Sequence, residues 1–261
     1  MKLKNVFVSA SLVIGSCLSM NTAAQAASFT TNFTPADPDP TEDIFLESIT
    51  QHGKTVSNFS FVESATLNSY QTAPNGPTST DRGDNASGDA IELPEPQDII
   101  NILGNKNLNN IIDNEDAGSF DLDIHFDHLI TQHYPGYDSL FFWERGMNSD
   151  LRIQALDANG NLIGNDLFLD RNDQVYAGFD IDTTEIGGPQ PVGSWGVSLA
   201  ELGVTELKGL KLTSEISYNG PDFKVVAKKT PEPGLMLGLG TVATVAFFRR
   251  RGKKTALNSA K

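Results

Sequence analysis

The sequence predicts a mainly β chain: a single antiparallel β-sandwich or jelly-roll-like domain over residues 43–228, with a short helical insertion at 95–112. Three observations predict it. Short apolar segments alternate with polar residues at a period of two. Clusters of Gly, Asn, Asp and Pro separate those segments at short intervals. Long stretches of helical periodicity are almost lacking, which favours two packed antiparallel sheets over a helical or α/β fold.

The elements follow in order. Residues 27–42 are predicted to be a flexible lead-in, rich in turn formers. Asp43 to Thr50 forms a strand that ends at Gln51-His52-Gly53-Lys54, and Val56 to Leu67 returns from it as a hairpin. The tract at 71–90, QTAPNGPTSTDRGDNASGDA, reads as a long surface loop. Pro96, Ile99, Ile100, Ile102 and Leu103, with Gly104 after them, suit a short helix, and Asn107 to Asp113 is expected to add another turn. Phe120, Leu122, Ile124 and Phe126 alternate with Asp121, Asp123 and His125, the pattern of a half-buried strand. Ser139 to Glu144 is a further strand. Leu151 to Leu156, Asp157-Ala158-Asn159-Gly160-Asn161 and Leu162 to Gly164 give a strong hairpin signal. Segments 167–169, 175–181, 195–199, 207–213 and 223–227 complete the series.

Charge separates the middle of the chain from its ends. The 261 residues carry 33 acids and 19 bases, a net charge of -14. Residues 27–230 hold 32 of those acids and 11 of the bases, a net of -21. Such a surface is unsuited to nucleic acid, whose phosphates need a basic patch. One cysteine, Cys17, excludes an intrachain disulfide framework and a Cys-based zinc site.

The N-terminus has Lys2 and Lys4, an apolar run from Val6 to Met20, and Ala24-Gln25-Ala26. This is the three-part layout of a secretory signal peptide spanning 1–26, with Ala24 and Ala26 at the cleavage site. Ile14-Gly15-Ser16-Cys17 loosely resembles a lipoprotein box and competes with that site. Residues 229–254 are also tripartite: Pro231-Glu232-Pro233, then 15 uncharged residues from Gly234 to Phe248, then Arg249, Arg250, Arg251, Lys253 and Lys254. As a helix the apolar run spans about 22 Å, short of the ~30 Å hydrocarbon core, and snorkelling arginines make up the difference. The basic cluster stays cytoplasmic by the positive-inside rule, which places the domain outside.

This tail resembles a PEP-CTERM sorting signal of cyanobacterial type, with Lys229 before the tripeptide and glycine spacing in Leu237-Gly238-Leu239-Gly240. Segments of the domain, among them Phe141 to Asp150 and Leu103 to Phe120, resemble exosortase-dependent surface proteins of the same type. One departure is that seven residues, Thr255 to Lys261, follow the basic cluster. The resemblance implies export through the Sec translocon, transient anchoring in the membrane by a transmembrane helix at 234–248, and tail removal by an exosortase. It implies delivery to the cell surface or matrix, and it supplies no catalytic residues. The internal Pro94-Glu95-Pro96 lacks a following apolar run and reads as a loop and helix start.

Candidate chemistry in the domain is weaker. Calcium is the candidate cofactor, because it takes several oxygens and the domain is acidic. The loops that offer them are 113–116, through Asp113 and Asp116, and 157–161, through Asp157, Asn159 and Asn161. The same residue types also build ordinary turns. His125, His128 and His133 lie near Asp121, Asp123 and Asp127, but spread along a strand rather than converging on one ion. Glu144 and Asp150 offer a carboxylate pair of glycosidase type, against the simpler reading of a Glu144–Arg145 ion pair. Motifs for a nucleophile elbow, a phosphate loop or HExxH are missing. The reading is therefore a non-enzymatic surface or matrix protein. The alternative is a carbohydrate-binding module that stacks Trp143, Trp195, Tyr134 and Tyr137 on extracellular polysaccharide.

Overall fold

The computed structural model describes residues 29–71, 78–83, 91–132, 134, 136–184 and 187–229. The signal peptide with Ala24 and Ala26, most of the tail with Pro231, Glu232, Pro233 and Arg249 to Arg251, and His133 lie outside the described residues. Among the described residues, no helix is long and apolar enough to cross a membrane.

The chain is mainly β, with antiparallel pairing throughout the described strands. The strands are β1 (Phe29–Thr34), β2 (Phe45–Gln51), β3 (Lys54–Val56), β4 (Phe59–Ser60), β5 (Val62–Gln71), β6 (Ser79–Arg82), β7 (Ile91–Glu92) and β8 (Asn110–Asp113). They continue as β9 (Ser119–Thr131), β10 (Leu140–Arg145), β11 (Leu151–Leu156), β12 (Leu162–Leu169), β13 (Val175–Ile181), β14 (Gln190–Val197), β15 (Glu206–Ser214) and β16 (Phe223–Lys228). Among the described residues one α-helix, α1 (Pro96–Leu103), interrupts them.

Three sheets form. A five-stranded sheet has the order β12-β11-β15-β9-β5. A middle sheet runs β13-β14-β10-β16-β8-β6-β7, with β4 also on β16, and a small sheet runs β1-β2-β3. The larger core lies between the five-stranded and middle sheets, where Phe120, Leu122, Ile124 and Phe126 meet Phe142, Trp195, Phe223 and Val225. A second core lies on the other face of the middle sheet, where Phe29, Leu46 and Ile49 meet Phe141, Trp143 and Val226. Phe29 packs edge-on against Phe141 at 5.1 Å and against Trp143 at 6.0 Å. The Trp143 Nε1–H donates to Thr31 Oγ1 at 2.9 Å, stitching β1 to β10.

The centre of the middle sheet is thus buried on both faces. Its central strands read as continuous apolar runs, Leu140 to Trp143 and Val225 to Ala227, because both sides of the pleat need apolar side chains. The outer sheet instead keeps the alternation expected for β9, with Asp121, Asp123 and His125 on its solvent side.

Three expectations are corrected. Residues 29–34 of the lead-in are strand β1, held by the β2 register from Phe29↔Gln51 to Thr34↔Phe45. Ser79–Arg82, inside the expected loop at 71–90, is a buried strand between β7 and β8. Asn107 to Asp113 adds no helical turn: it ends in β8, whose Ile112 pairs with Phe223 of β16, since Ile111 and Ile112 fill opposite cores and only an extended backbone sends them apart. The helix itself starts at Pro96 as expected, with the Asp98 carboxylate accepting the Glu95 N–H at 2.9 Å. The predicted turn at 51–54 also forms, with His52 at φ 48° and Gly53 at φ 72° in the left-handed region that two-residue hairpins need, but the strand returning along β2 is only Lys54–Val56; Phe59–Ser60 pairs with β16 and Val62–Gln71 with β9 instead.

Candidate functional site

The ends of β8, β10 and β16 meet at a cleft of about 180 Å³, lined by acidic and amide side chains that include Asp113, Glu115, Asp116, Asn148 and Asp222. Gly220 forms part of its wall. Its φ of 56° is left-handed, and a Cβ there would collide with the Asn114 carbonyl. Burial and the neighbouring Asp116 push the Glu115 carboxyl up from its usual range.

Beneath the cleft lies a buried ion cluster. Arg145 ends β10 with its side chain on the second-core face, and its Nη2 donates to Asp113 Oδ2 at 3.0 Å and Asp222 Oδ2 at 2.7 Å. The Arg145 N–H also donates to the Asp222 carbonyl at 2.9 Å, and Asp222 Oδ1 accepts from the Asn114 N–H at 3.1 Å. Burial pushes both carboxyls up, and Asp222 pushes Asp113 further, while Arg145 pulls both back down. One cation between two buried carboxyls leaves an excess negative charge when both are ionised, so the pair takes up a proton more readily than free carboxyls do.

Glu144 points to the opposite face, because successive strand residues do. The expected Glu144–Arg145 ion pair is therefore replaced by two separate clusters, one on each side of the sheet. Glu144 is fully buried and accepts from Gln174 Nε2 at 3.1 Å, with the Ser149 hydroxyl and the Met147 and Asn148 N–H groups also turned to it. Burial outweighs these donors and raises its pKa to about 8. Gly193 on β14 makes this possible, since a Cβ there would collide with the Gln174 side chain. The proposed carboxylate partner, Asp150, is committed to Arg171, whose Nε reaches Oδ1 at 3.0 Å and Nη2 reaches Oδ2 at 2.5 Å. The pair Glu144 and Asp150 is thus divided between an enclosed turn and an ion pair.

The remaining sequence-predicted residues are placed as follows. Asp113 and Asp116 line the cleft, with Asp113 already facing the Arg145 guanidinium. Asp157 lies in the β11–β12 turn. Its Oδ1 accepts the Asn159 and Asn161 N–H groups at 2.8 and 2.9 Å, and its Oδ2 accepts Asn161 Nδ2 at 3.0 Å. These are the contacts of an Asx-type turn, and they hold the Asp157 carboxyl below its usual range. Among the described residues no three His, Cys, Asp or Glu side chains converge in metal-binding geometry. Asp121 pairs with Lys211 at 2.6 Å, and Asn68 bridges Asp121 and Asp123 at 3.1 and 2.9 Å. Trp143 and Trp195 are buried in the two cores, while Tyr134 is exposed.

Sequence reasoning missed the Arg145 cluster and the role of Gln174. The available signal was the pleat itself, which sends Glu144 and Arg145 to opposite faces of one strand. Comparisons with protein-family models, with curated proteins and with solved structures found no match to this chain.

Proposed function

We propose that this chain is a non-enzymatic cell-surface or extracellular-matrix protein, exported through the Sec translocon and sorted by an exosortase through its tail. The order of residues 229–254 carries this reading: a proline-flanked glutamate, an uncharged run and a basic cluster. The domain's chemistry supports it. Its most perturbed carboxyls, Glu144, Asp113 and Asp222, are buried and already engaged, Asp113 and Asp222 by Arg145 and Glu144 by Gln174. β16, the last described strand, ends at Lys228, with Lys229 and Thr230 between it and Pro231 in the sequence. We read the five-stranded and middle sheets as the sandwich proper and the β1–β3 sheet as an addition to it.

The test replaces Pro231, Glu232 and Pro233 with alanine together. The tail then stays uncut, the mature mass rises by the mass of the retained tail, and the protein remains in the membrane fraction. Unchanged mass with unchanged surface delivery would refute the proposal.

A further inference from the structure

The chain leaves the fold through an unusual patch for so acidic a domain. The Lys54 Nζ sits 3.8 Å from the centroid of the Tyr134 ring and 5.3 Å from that of Tyr137. The Lys228 Nζ is 5.6 Å from the same Tyr134 ring. Tyr134 and Tyr137 lie 5.5 Å apart, and His52 packs edge-on against Tyr137 at 5.0 Å.

This patch is built on anchored backbone. Gln51 Nε2 donates to the Asp138 carbonyl and Gln51 Oε1 accepts the Asp138 N–H, both at 2.9 Å, tying the β2–β3 hairpin to the tyrosine loop. The Lys228 N–H donates to the Ser139 carbonyl at 2.8 Å, and the Lys229 N–H to the Asn58 carbonyl at 3.0 Å.

Charge placement makes the patch informative. Lys106, Arg145, Arg152, Arg171, Lys208 and Lys211 each pair with a carboxylate. Among the described residues Lys54 and Lys228, like Arg82, Lys224 and Lys229, make no ion pair with a described carboxylate, and the two of them gather on one aromatic ring. Burial and the Lys54 charge both lower the Lys228 pKa, so the fold holds two like charges together. An anion that covers the patch would relieve that repulsion.

Geometry indicates which anion. Lys229 is pinned to the fold, and the uncharged run begins at Gly234. Five residues span at most about 17 Å when extended, so the exit face sits beside the headgroup layer once the run inserts. Tyrosine and lysine are the side chains that suit that layer, with an apolar body and a polar or cationic tip. Residues 27–230 as a whole carry a net -21 and are repelled by anionic lipid, which favours this face being turned down.

We propose that the face formed by His52, Lys54, Tyr134, Tyr137 and Lys228 docks on phospholipid headgroups and holds the domain in one orientation on the membrane. This rests on the reading that the tail inserts. The test reconstitutes the full chain into vesicles of three parts phosphatidylcholine to one part phosphatidylglycerol, or into dodecyl maltoside micelles. Lysine acetylation is read by mass spectrometry and vesicle binding by flotation. Lys54 and Lys228 should react about fivefold more slowly in vesicles than in micelles, with Lys106 unchanged. The exposed substitution Lys54→Glu should abolish the slowing at Lys228 while flotation persists. Flotation with equal reactivity at Lys54 and Lys106 overturns the docking face and leaves tail insertion standing. Failure to float overturns tail insertion and the docking face with it. Slowing produced by soluble dextran without vesicles assigns the patch to sugar and overturns the lipid proposal.

Discussion

Glu144→Gln should flatten the dependence of stability on pH. Glu144 sits on β10 between Gly193 and Phe223, fully buried, and burial raises its pKa from 4.5 to about 8. In the unfolded chain it loses its proton near its ordinary value, so between about pH 5 and pH 8 the folded state holds one proton more. Stability must then fall as pH rises, with a limiting slope of about 1.4 kcal/mol per pH unit and a total of about 5 kcal/mol for a shift of this size. The contribution is complete below pH 4.5 and exhausted above pH 8. Glutamine imitates the protonated acid in shape, retains an oxygen for the Gln174 amide and does not titrate. Urea unfolding, followed by the fluorescence of buried Trp143 and Trp195, measures this at pH 5 and pH 7.5. The parent chain should lose about 3 kcal/mol more than the variant over that interval. Parallel pH dependences in the two proteins would refute the argument, because the proton would then not reside on Glu144.

Two further substitutions probe the same end of the fold. Arg145→Ala should cost about 3–5 kcal/mol in urea unfolding, because it leaves Asp113 and Asp222 facing each other without their shared cation, and the loss should deepen as pH rises through their raised pKa values. Gly220→Ala should cost about 1 kcal/mol or more, since φ is 56° and the added Cβ meets the Asn114 carbonyl; a neutral result would show that the cleft wall is free to shift.

Much of the outer architecture was legible because it is local. The β9 alternation assigns Phe120 to Phe126 inward and Asp121 to His125 outward from period alone, and the fold agrees. The Asp157 to Asn161 hairpin follows from side chains that bond their own backbone within four residues. The start of α1 follows from Pro96 and Asp98. What escaped was non-local. Ser79 to Arg82 reads as a loop because it is polar, yet it is buried, and its neighbourhood draws hydrogen bonds from distant partners: Thr78 donates to Asn114, and Asp81 accepts from Thr184. β1 lacks a strong apolar signature and becomes a strand only against β2 and the aromatic face of β10.

The candidate site divides the same way. The acidic loop at 113–116 was visible as composition, and the cleft does lie there. Its content was not visible, because Arg145 reaches Asp113 across 32 positions and Asp222 across 77. Adjacent residues Glu144 and Arg145 invited a local pairing that the pleat forbids.

By itself the sequence determined the antiparallel β class, the local turns, the start of α1 and the division between a strongly acidic middle and basic ends. Those depend on period, turn chemistry and charge counts, which need no partner. Only the tertiary structure decided that the centre of the middle sheet is covered on both faces, that Arg145 sits between two buried carboxyls, and that Lys54 and Lys228 meet over one tyrosine at the chain's exit. Each of these joins residues far apart in the chain, and burial, which sets their energies, exists only once the layers have closed.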